Sequence, residues 1–333
     1  MNARLTSLPV LVISAHSRCN CRCGMCDIWK RTESVRFTAA DLERQIDDLR
    51  ALAVEWVVFT GGEPLLNPDL FSMAARLRAL GIRVTLLSSG LLLGRFAREV
   101  ATGVDDCIVS LDGPRGVHNA IRGVLDAFDQ MAAGIRAIRK IEARFPISAR
   151  CTVQRANHHA VADTAEAAQA LGLGSISYLA ADVSTGAFNH DPAARTRLRA
   201  SLLLNESETA TLEGEFRKLM HGPLAAMVAE SPAKLARIVA YFRAMAAGAE
   251  PDAPLCNAPW VSAVLEHDGT VRPCFFHAAF GNAKESSLVE VLDGDAAAAF
   301  RGGLDVASNP ICRRCVCSLH RPAAAVESSG ASA

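Results

Sequence analysis

Leu8-Pro9-Val10-Leu11-Val12-Ile13-Ser14-Ala15-His16-Ser17-Arg18-Cys19-Asn20-Cys21-Arg22-Cys23-Gly24-Met25-Cys26 sets a short apolar run directly ahead of four closely spaced cysteines. Residues 8–13 are nearly continuous in aliphatic side chains, as a strand covered on both faces should be. Within the cysteine stretch, Cys19, Cys23 and Cys26 have the spacing C-x3-C-x2-C. Three thiolates on one loop can hold three irons of a 4Fe–4S cube and leave the fourth without a protein ligand. An open iron is a place for chemistry, by the logic that keeps catalytic metal sites one ligand short. Arg18, Asn20 and Gly24 are placed to supply hydrogen bonds around such a cube. The competing reading is a zinc knuckle that uses all four thiols. In the cube reading Cys21 fits no ligand spacing and is a spectator.

Working outward, the first 180 or so residues alternate apolar runs with amphipathic ones, the pattern of successive βα units. Strands are expected over 8–13, 55–59, 82–87, 106–111, 147–153 and 175–179, and helices over 38–52, 69–80, 91–102, 124–143 and 158–171. Thr38 with Asp41 reads as a capping box, and Gly81 and Gly172 as helix stops. Six such repeats make a partial barrel or an open doubly wound sheet, and periodicity does not choose between them. From 182 to 253 the strand signal vanishes and three or four helices are expected. Residues 261–266, an Asp268-Gly269 turn and Val271 onward then form a hairpin. The Ala- and Ser-rich tail 322–333 is expected to be disordered.

The 333 residues carry 35 basic and 35 acidic side chains, so no overall charge points to nucleic acid or an anionic membrane. No apolar run is long enough to span a bilayer, and no secretory signal precedes the first strand. The eleven cysteines, an odd number bunched in two places, argue for metal or iron–sulfur ligation in a reducing compartment. The expectation is a cytoplasmic enzyme with no membrane or nucleic-acid partner.

Further motifs follow in chain order: Thr60-Gly61-Gly62-Glu63-Pro64, Ser88-Ser89-Gly90, Ser110-Leu111-Asp112-Gly113-Pro114, His118-Asn119-Ala120-Ile121-Arg122-Gly123, then Thr152-Val153 and Asn157. Together with the cysteine loop they resemble the radical SAM superfamily, over about residues 8–180. The resemblance implies an α/β fold, a (βα)6 partial TIM barrel spanning 1–181. It places Cys19, Cys23 and Cys26 on a 4Fe–4S cluster that binds S-adenosyl-L-methionine. It also places Gly61, Gly62, Glu63, Pro64, Ser89, Ser110 and Asp112 beside that cofactor, with Glu63 offsetting the methionyl ammonium. Reductive cleavage to a 5′-deoxyadenosyl radical, hydrogen abstraction from an unactivated C–H bond and a flavodoxin- or ferredoxin-type electron donor are the family's implications. One departure stands out: the family's aromatic residue after the third cysteine is Asp27 here, followed by Ile28 and Trp29.

Beyond the helical segment 182–253, Cys256, Gly269, Cys274 and Cys312-Arg313-Arg314-Cys315-Val316-Cys317 resemble the C-terminal twitch or SPASM extension, a small hairpin-and-helix domain over 254–321. Five cysteines are too few for two fully ligated cubes. The resemblance therefore implies one auxiliary 4Fe–4S cluster on Cys256, Cys274, Cys312 and Cys315, with Cys317 a spare, an alternative ligand or a hydrogen donor; zinc is again the competitor. Full ligation favours electron transfer over substrate binding. Cys107 and Cys151 read as small core residues. The family likeness implies dehydrogenation of a sugar- or aminocyclitol-like small molecule in antibiotic or other natural-product biosynthesis. A radical epimerase using Cys317 or Cys151, and a peptide maturase forming thioether or C–C links, are alternatives. The chain begins almost at its first strand, which weighs against a leader-binding domain and so against the maturase. A zinc scaffold or plain electron carrier would cleave no cofactor. Arg150, Asp182, His190 and His277 are named for removal of a substrate proton, none of them as catalytic.

Overall fold

A computed structural model describes residues 4, 5 and 7–322. All six expected strands form, as β1 (Val10–His16), β2 (Trp56–Gly61), β3 (Arg83–Ser88), β4 (Asp106–Ser110), β5 (Ile147–Val153) and β6 (Ile176–Ala180). Each pairs in parallel with the next, in the order β6-β5-β4-β3-β2-β1. A doubly wound sheet would reverse the order among its successive βα strands. The order here runs one way, so the partial barrel is the architecture.

The sheet does not stop at β1. Its free edge takes β7 (Ser262–Leu265) in parallel, with Val10 opposite Ser262, and β8 (Thr270–Arg272) and β9 (Gly281–Asn282) follow antiparallel. The expected hairpin therefore exists, but it extends the barrel sheet to nine strands. At the other end, the β6 edge is covered where Ala229 N–H donates to Ile176 O at 2.9 Å. The β6 edge is thus shielded there from pairing with another chain.

Seven helices lie along the first six strands: α1 (Ala39–Glu43), α2 (Ile46–Ala51), α3 (Leu70–Arg78), α4 (Ala97–Gly103), α5 (Arg115–Arg122), α6 (Ala127–Ile141) and α7 (Val161–Ala170). The Thr38 capping box forms, with Asp41 N–H on Thr38 Oγ1 at 3.1 Å and Thr38 N–H on Asp41 Oδ2 at 2.9 Å. Gly81 and Gly172 stop their helices with φ of 78° and 70°. The helix expected over 38–52 is two, broken at residues 44–45. There Gln45 turns to the C-terminal segment, donating to Ala283 O at 2.8 Å and accepting from Leu288 N–H at 3.2 Å. The helix expected over 91–102 begins only at Ala97. Leu93 instead closes on α6, and a Cβ on Gly134 would sit 2.5 Å from the Leu93 Cβ. Helix α5 was not expected at all.

Residues 182–253 hold α8 (Arg195–Leu202), α9 (Glu206–His221) and α10 (Pro232–Ala246), with short 3-10 turns between them. They pack on α7 and β6: Glu230 Oε2 accepts from Tyr178 N–H at 2.8 Å, and Glu215 Oε2 from Ala162 N–H at 3.1 Å. The chain ends in α11 (Ala258–Val261), α12 (Leu288–Asp293), α13 (Asp295–Gly303) and α14 (Pro310–Arg313). Among the described residues no helix is long and apolar enough to cross a membrane. The tail expectation falls on residues 323–333, which lie outside the described residues.

Candidate active site

The cysteine loop leaves β1 and is fastened on three sides. Arg22 N–H donates to Arg122 O at 2.8 Å and Gly24 N–H to Ile121 O at 3.3 Å, tying the loop to the end of α5. From β2, Gly62 N–H donates to His16 O at 2.9 Å and Glu63 N–H to Arg18 O at 2.8 Å. Gly61 sits at φ 123°, and a Cβ on Gly62 would fall 2.0 Å from the Arg18 carbonyl oxygen. The close approach expected toward a ligand is thus, at Gly62, an approach to the cysteine loop itself. The third side comes from the segment after β6. Asp27 N–H donates to Phe188 O at 3.0 Å, Asn189 Nδ2 to Asp27 O at 3.0 Å, and His190 Nε2 lies 3.1 Å from Met25 O. Phe188 and Asn189 hold φ of 59° and 63°, a strained conformation for non-glycine residues. Asp27 pairs with Lys30 at 2.7 Å. The aromatic ring missing at position 27 has a neighbour in Phe188.

The thiols are unequal. Cys21 is buried, and its S–H donates to both Cys19 and Cys23. That bond draws the Cys19 thiol down and brings Cys23 down to about 6, with the Arg122 guanidinium adding to the second. Burial pushes Cys26 up to about 12. Arg122 Nη1 stands 3.6 Å from Cys23 Sγ while its Nη2 pairs with Asp112 Oδ2 at 2.6 Å. Asp112 is wholly buried, its carboxyl pushed up by burial against the pull of Arg122, and its Oδ1 accepts from Thr152 N–H at 2.9 Å. It lies off the cavity wall and is joined to it by the pairing with Arg122, a residue of the His118 to Gly123 motif. His118, pushed down to about 3 by burial, is neutral and accepts from Asp112 N–H at 3.2 Å. Asn157 locks the same turn, donating to Asp112 O at 2.9 Å.

Glu63 is also wholly buried, and burial raises its pKa. Ser88 Oγ donates to Oε1 at 2.9 Å, and Ser89 N–H and Oγ donate to Oε2 at 2.8 and 2.6 Å. The carboxylate braces the ends of β2 and β3, with Pro64 buried beside it. Thr60, Gly61, Ser110, Arg122, Arg150 and Thr152 meet on the wall of one cavity of about 470 Å³, which Phe188, Phe275 and Phe276 also line. Of the residues named for proton removal, Arg150 and His277 line this cavity. Asp182 is tied up by the Ser184 N–H and the Ser184 and Thr185 hydroxyls, and His190 anchors the cysteine loop.

Cys256, Cys274, Cys312, Cys315 and Cys317 line a second, narrow cleft together. Asn309 caps the short helix that carries Cys312, and Asn257 joins the cleft's two ends, its N–H donating to Leu319 O at 2.9 Å. The amides of Phe276 and His277 donate to Cys274, and His277 Nε2 lies 3.3 Å from Cys312 Sγ. Burial raises Cys274 and Cys315 and brings Cys312 up to about 12. Phe276, His277 and Cys317 line both spaces, so the two share a wall. Cys107 and Cys151 are buried in strands, as expected.

All eleven cysteines are free thiols. Among the described residues no three His, Cys, Asp or Glu are drawn together as a single-ion site. The donors fit an iron–sulfur cube instead: three thiols on a firmly tied loop at one place, four or five around a cleft at the other, each set within reach of backbone or guanidinium donors.

Residues 13–168 match the family model of the radical SAM superfamily, and 256–316 match that of the SPASM iron–sulfur cluster-binding domain. The chain is 35% identical over 157 residues to a pre-heme d1 synthase of Dinoroseobacter shibae, covering 44% of this chain and 38% of that one. An AdoMet-dependent heme synthase of Methanosarcina barkeri is 33% identical over 175 residues, covering 50% and 49%. A GTP 3',8-cyclase of Heliobacterium modesticaldum is 32% identical over 146 residues, covering 41% and 44%. The chain thus spans less than half the length of these curated relatives. In fold it is similar to Streptococcus suis SuiB bound to precursor peptide SuiA, with TM-score 0.69, 15% identity and coverage of 94% and 72%. It is also similar to anSMEcpe with bound AdoMet, with TM-score 0.64, 19% identity and coverage of 88% and 82%.

Proposed function

Because the chain is a radical SAM enzyme with a C-terminal SPASM-type iron–sulfur domain, we propose that it oxidises a small molecule held in the cavity between its two cysteine sets. The shared wall of Phe276, His277 and Cys317 carries this reading: whatever occupies the barrel cavity also faces the second cleft. When bound at Cys19, Cys23 and Cys26, the cluster and S-adenosylmethionine supply a carbon radical able to take hydrogen from an unactivated C–H bond.

The chain's own residues prepare that place. Gly61, Gly62 and Pro64 hold the loop and strand together. Glu63, gripped by Ser88 and Ser89, would offset the cofactor's ammonium charge. Ser110 presents its hydroxyl from β4, and Asp112 aims Arg122 at the loop thiolates. Cys256, Cys274, Cys312 and Cys315 would hold the auxiliary cluster, which would supply an acceptor for the electron that the substrate radical loses as it releases a proton to solvent. An external flavodoxin- or ferredoxin-type protein supplies the first cluster's electron. The relatives' names, heme synthases and GTP cyclases, widen the range of substrates beyond the sugar or aminocyclitol expected from the sequence.

A second reading, epimerisation, draws on Cys317, an exposed thiol on the shared wall that could return hydrogen to the substrate. After anaerobic reconstitution the protein should bind about eight irons, two cubes' worth. With dithionite and S-adenosylmethionine it should release 5′-deoxyadenosine. Absence of that product from iron-replete protein would overturn the proposal. In the presence of substrate, a product lacking two hydrogens supports oxidation, and one isomeric with the substrate supports epimerisation.

A further inference from the structure

Four guanidiniums, those of Arg31, Arg122, Arg150 and Arg272, line the barrel cavity against a single carboxylate, Glu266. Arg122 is spoken for by Asp112 and Cys23. Glu266 lies 3.4 Å from Arg272 Nε and also feels the charge of Arg31, so one carboxylate faces two guanidiniums on this wall. Arg31 donates through Nη1 to His267 Nε2 at 3.3 Å. Burial pushes His267 down to about 4, so that ring is a neutral acceptor and brings no negative charge. The Nε of Arg31 is buried with no acceptor in the protein. Arg150 reaches Ser177 Oγ at a long 3.4 Å, with Glu230 the carboxylate that feels its charge.

Two half-buried guanidiniums that share one carboxylate and keep spare N–H groups are costly to keep unless a further anion meets them. S-adenosylmethionine carries more cationic than anionic centres and does not relieve the excess. Arg31 and Arg272 converge on the hairpin wall, where Arg272 also donates to His277 O at 3.2 Å; Arg150 comes from β5, toward the other end of the sheet. Beside them Phe188 and Phe275 lie stacked, ring centroids 6.4 Å apart, with Phe276 edge-on to Phe188.

We propose that this wall recognises an organic anion: a molecule with an apolar or ring-shaped body against Phe188 and Phe275, and a carboxylate or phosphate on Arg31 and Arg272. The inference rests on the reading of the cavity as the substrate site and narrows its substrate class. Its test is calorimetric titration of reconstituted protein, saturated with S-adenosylmethionine, with benzoate, phenyl phosphate and neutral benzyl alcohol. At least one anion should bind saturably and about tenfold or more tighter than benzyl alcohol, as a charge-assisted hydrogen bond requires. Which anion wins identifies the acidic group. Arg31→Gln should remove about tenfold of that affinity, and Arg31→Lys should restore part of it at low salt. Benzyl alcohol binding as tightly as both anions, no anion binding, or an Arg31→Gln affinity equal to wild type would overturn the inference. Substrate-free formation of 5′-deoxyadenosine by the wild-type protein, followed in parallel, reports separately on the catalytic reading itself.

Discussion

The two cysteine sets are built in opposite ways. Cys19, Cys23 and Cys26 lie on one loop, and α5, β2 and residues 187–190 all tie that loop by its backbone. Cys256, Cys274 and the Cys312–Cys315 pair come from three separate stretches, and only the folded C-terminal segment brings them around one cleft. The first set is surrounded by charge, with Arg122, Asp112 and Glu63 buried nearby. The second is walled by Pro254, Pro259, Phe276 and Ile311, with the His277 imidazole and the Arg237 guanidinium as polar neighbours. A loop tied at every turn and set among fixed charges suits a site that must bind and break a charged cofactor. A cleft ringed by thiols and largely apolar side chains is what the proposed electron-accepting role calls for.

If that contrast is right, substitutions in the two sets should separate cleanly. The largest effect belongs to Cys23→Ala, which should abolish formation of 5′-deoxyadenosine. Cys315→Ala should leave it within about threefold, since less than about 1 kcal/mol of transition-state stabilisation is at stake there. Equal losses in both would erase the distinction. Next in size is Arg122→Leu, which strands the buried Asp112 carboxylate and should cost about 3–5 kcal/mol in urea unfolding. Adding Asp112→Asn to it should recover much of that loss, as expected when the penalty is an unpaired charge. Gly62→Ala should lower iron loading of the first site, because its Cβ meets the Arg18 carbonyl oxygen at 2.0 Å. Gly24→Ala, with nothing within 4 Å, is the matched control and should load normally.

The smallest effect is on acid stability. His118 titrates near 3 and His267 near 4 in the folded chain, both below an ordinary histidine. The unfolded chain therefore binds more protons between these values and about 6.5, so their contribution is whole above about 6.5 and is lost as pH falls through that window. His118→Gln should flatten the acid limb of a plot of stability against pH in chemical denaturation. An unchanged slope would show that His118 is not buried neutral.

What the sequence made legible follows the same divide. Strand periodicity and the spacing of Cys19, Cys23 and Cys26 are local facts, and all six parallel strands form where they were expected. The spacing could not say that β7 would join β1, because that pairing links residues some 250 positions apart and depends on the edge β1 leaves open. Nor could it reveal residues 187–190 over the cysteine loop: Phe188 O, Asn189 Nδ2 and His190 Nε2 all meet backbone atoms of residues 25–27, and a contact to backbone leaves no matching side chain in the sequence. Arg122 was in view within the His118 to Gly123 stretch, but its pairing with Asp112 and Cys23 appears only when α5 folds back on the loop. Glu63 was expected to meet a ligand's ammonium. Its burial under Ser88 and Ser89 shows that it braces the strand ends, a tertiary fact that motif matching does not carry.

The account turns on one claim: the N-terminal loop holds a cluster with a free iron, and the C-terminal cleft holds one without. EPR of the anaerobically reduced, reconstituted protein tests this directly, recorded with and without S-adenosylmethionine in wild type and in Cys315→Ala. Two signals should be present in wild type, and the cofactor should shift just one of them; Cys315→Ala should lose or alter the other and keep the shifted one. A single signal, or two that both respond to the cofactor, would contradict the division of labour between the two sites.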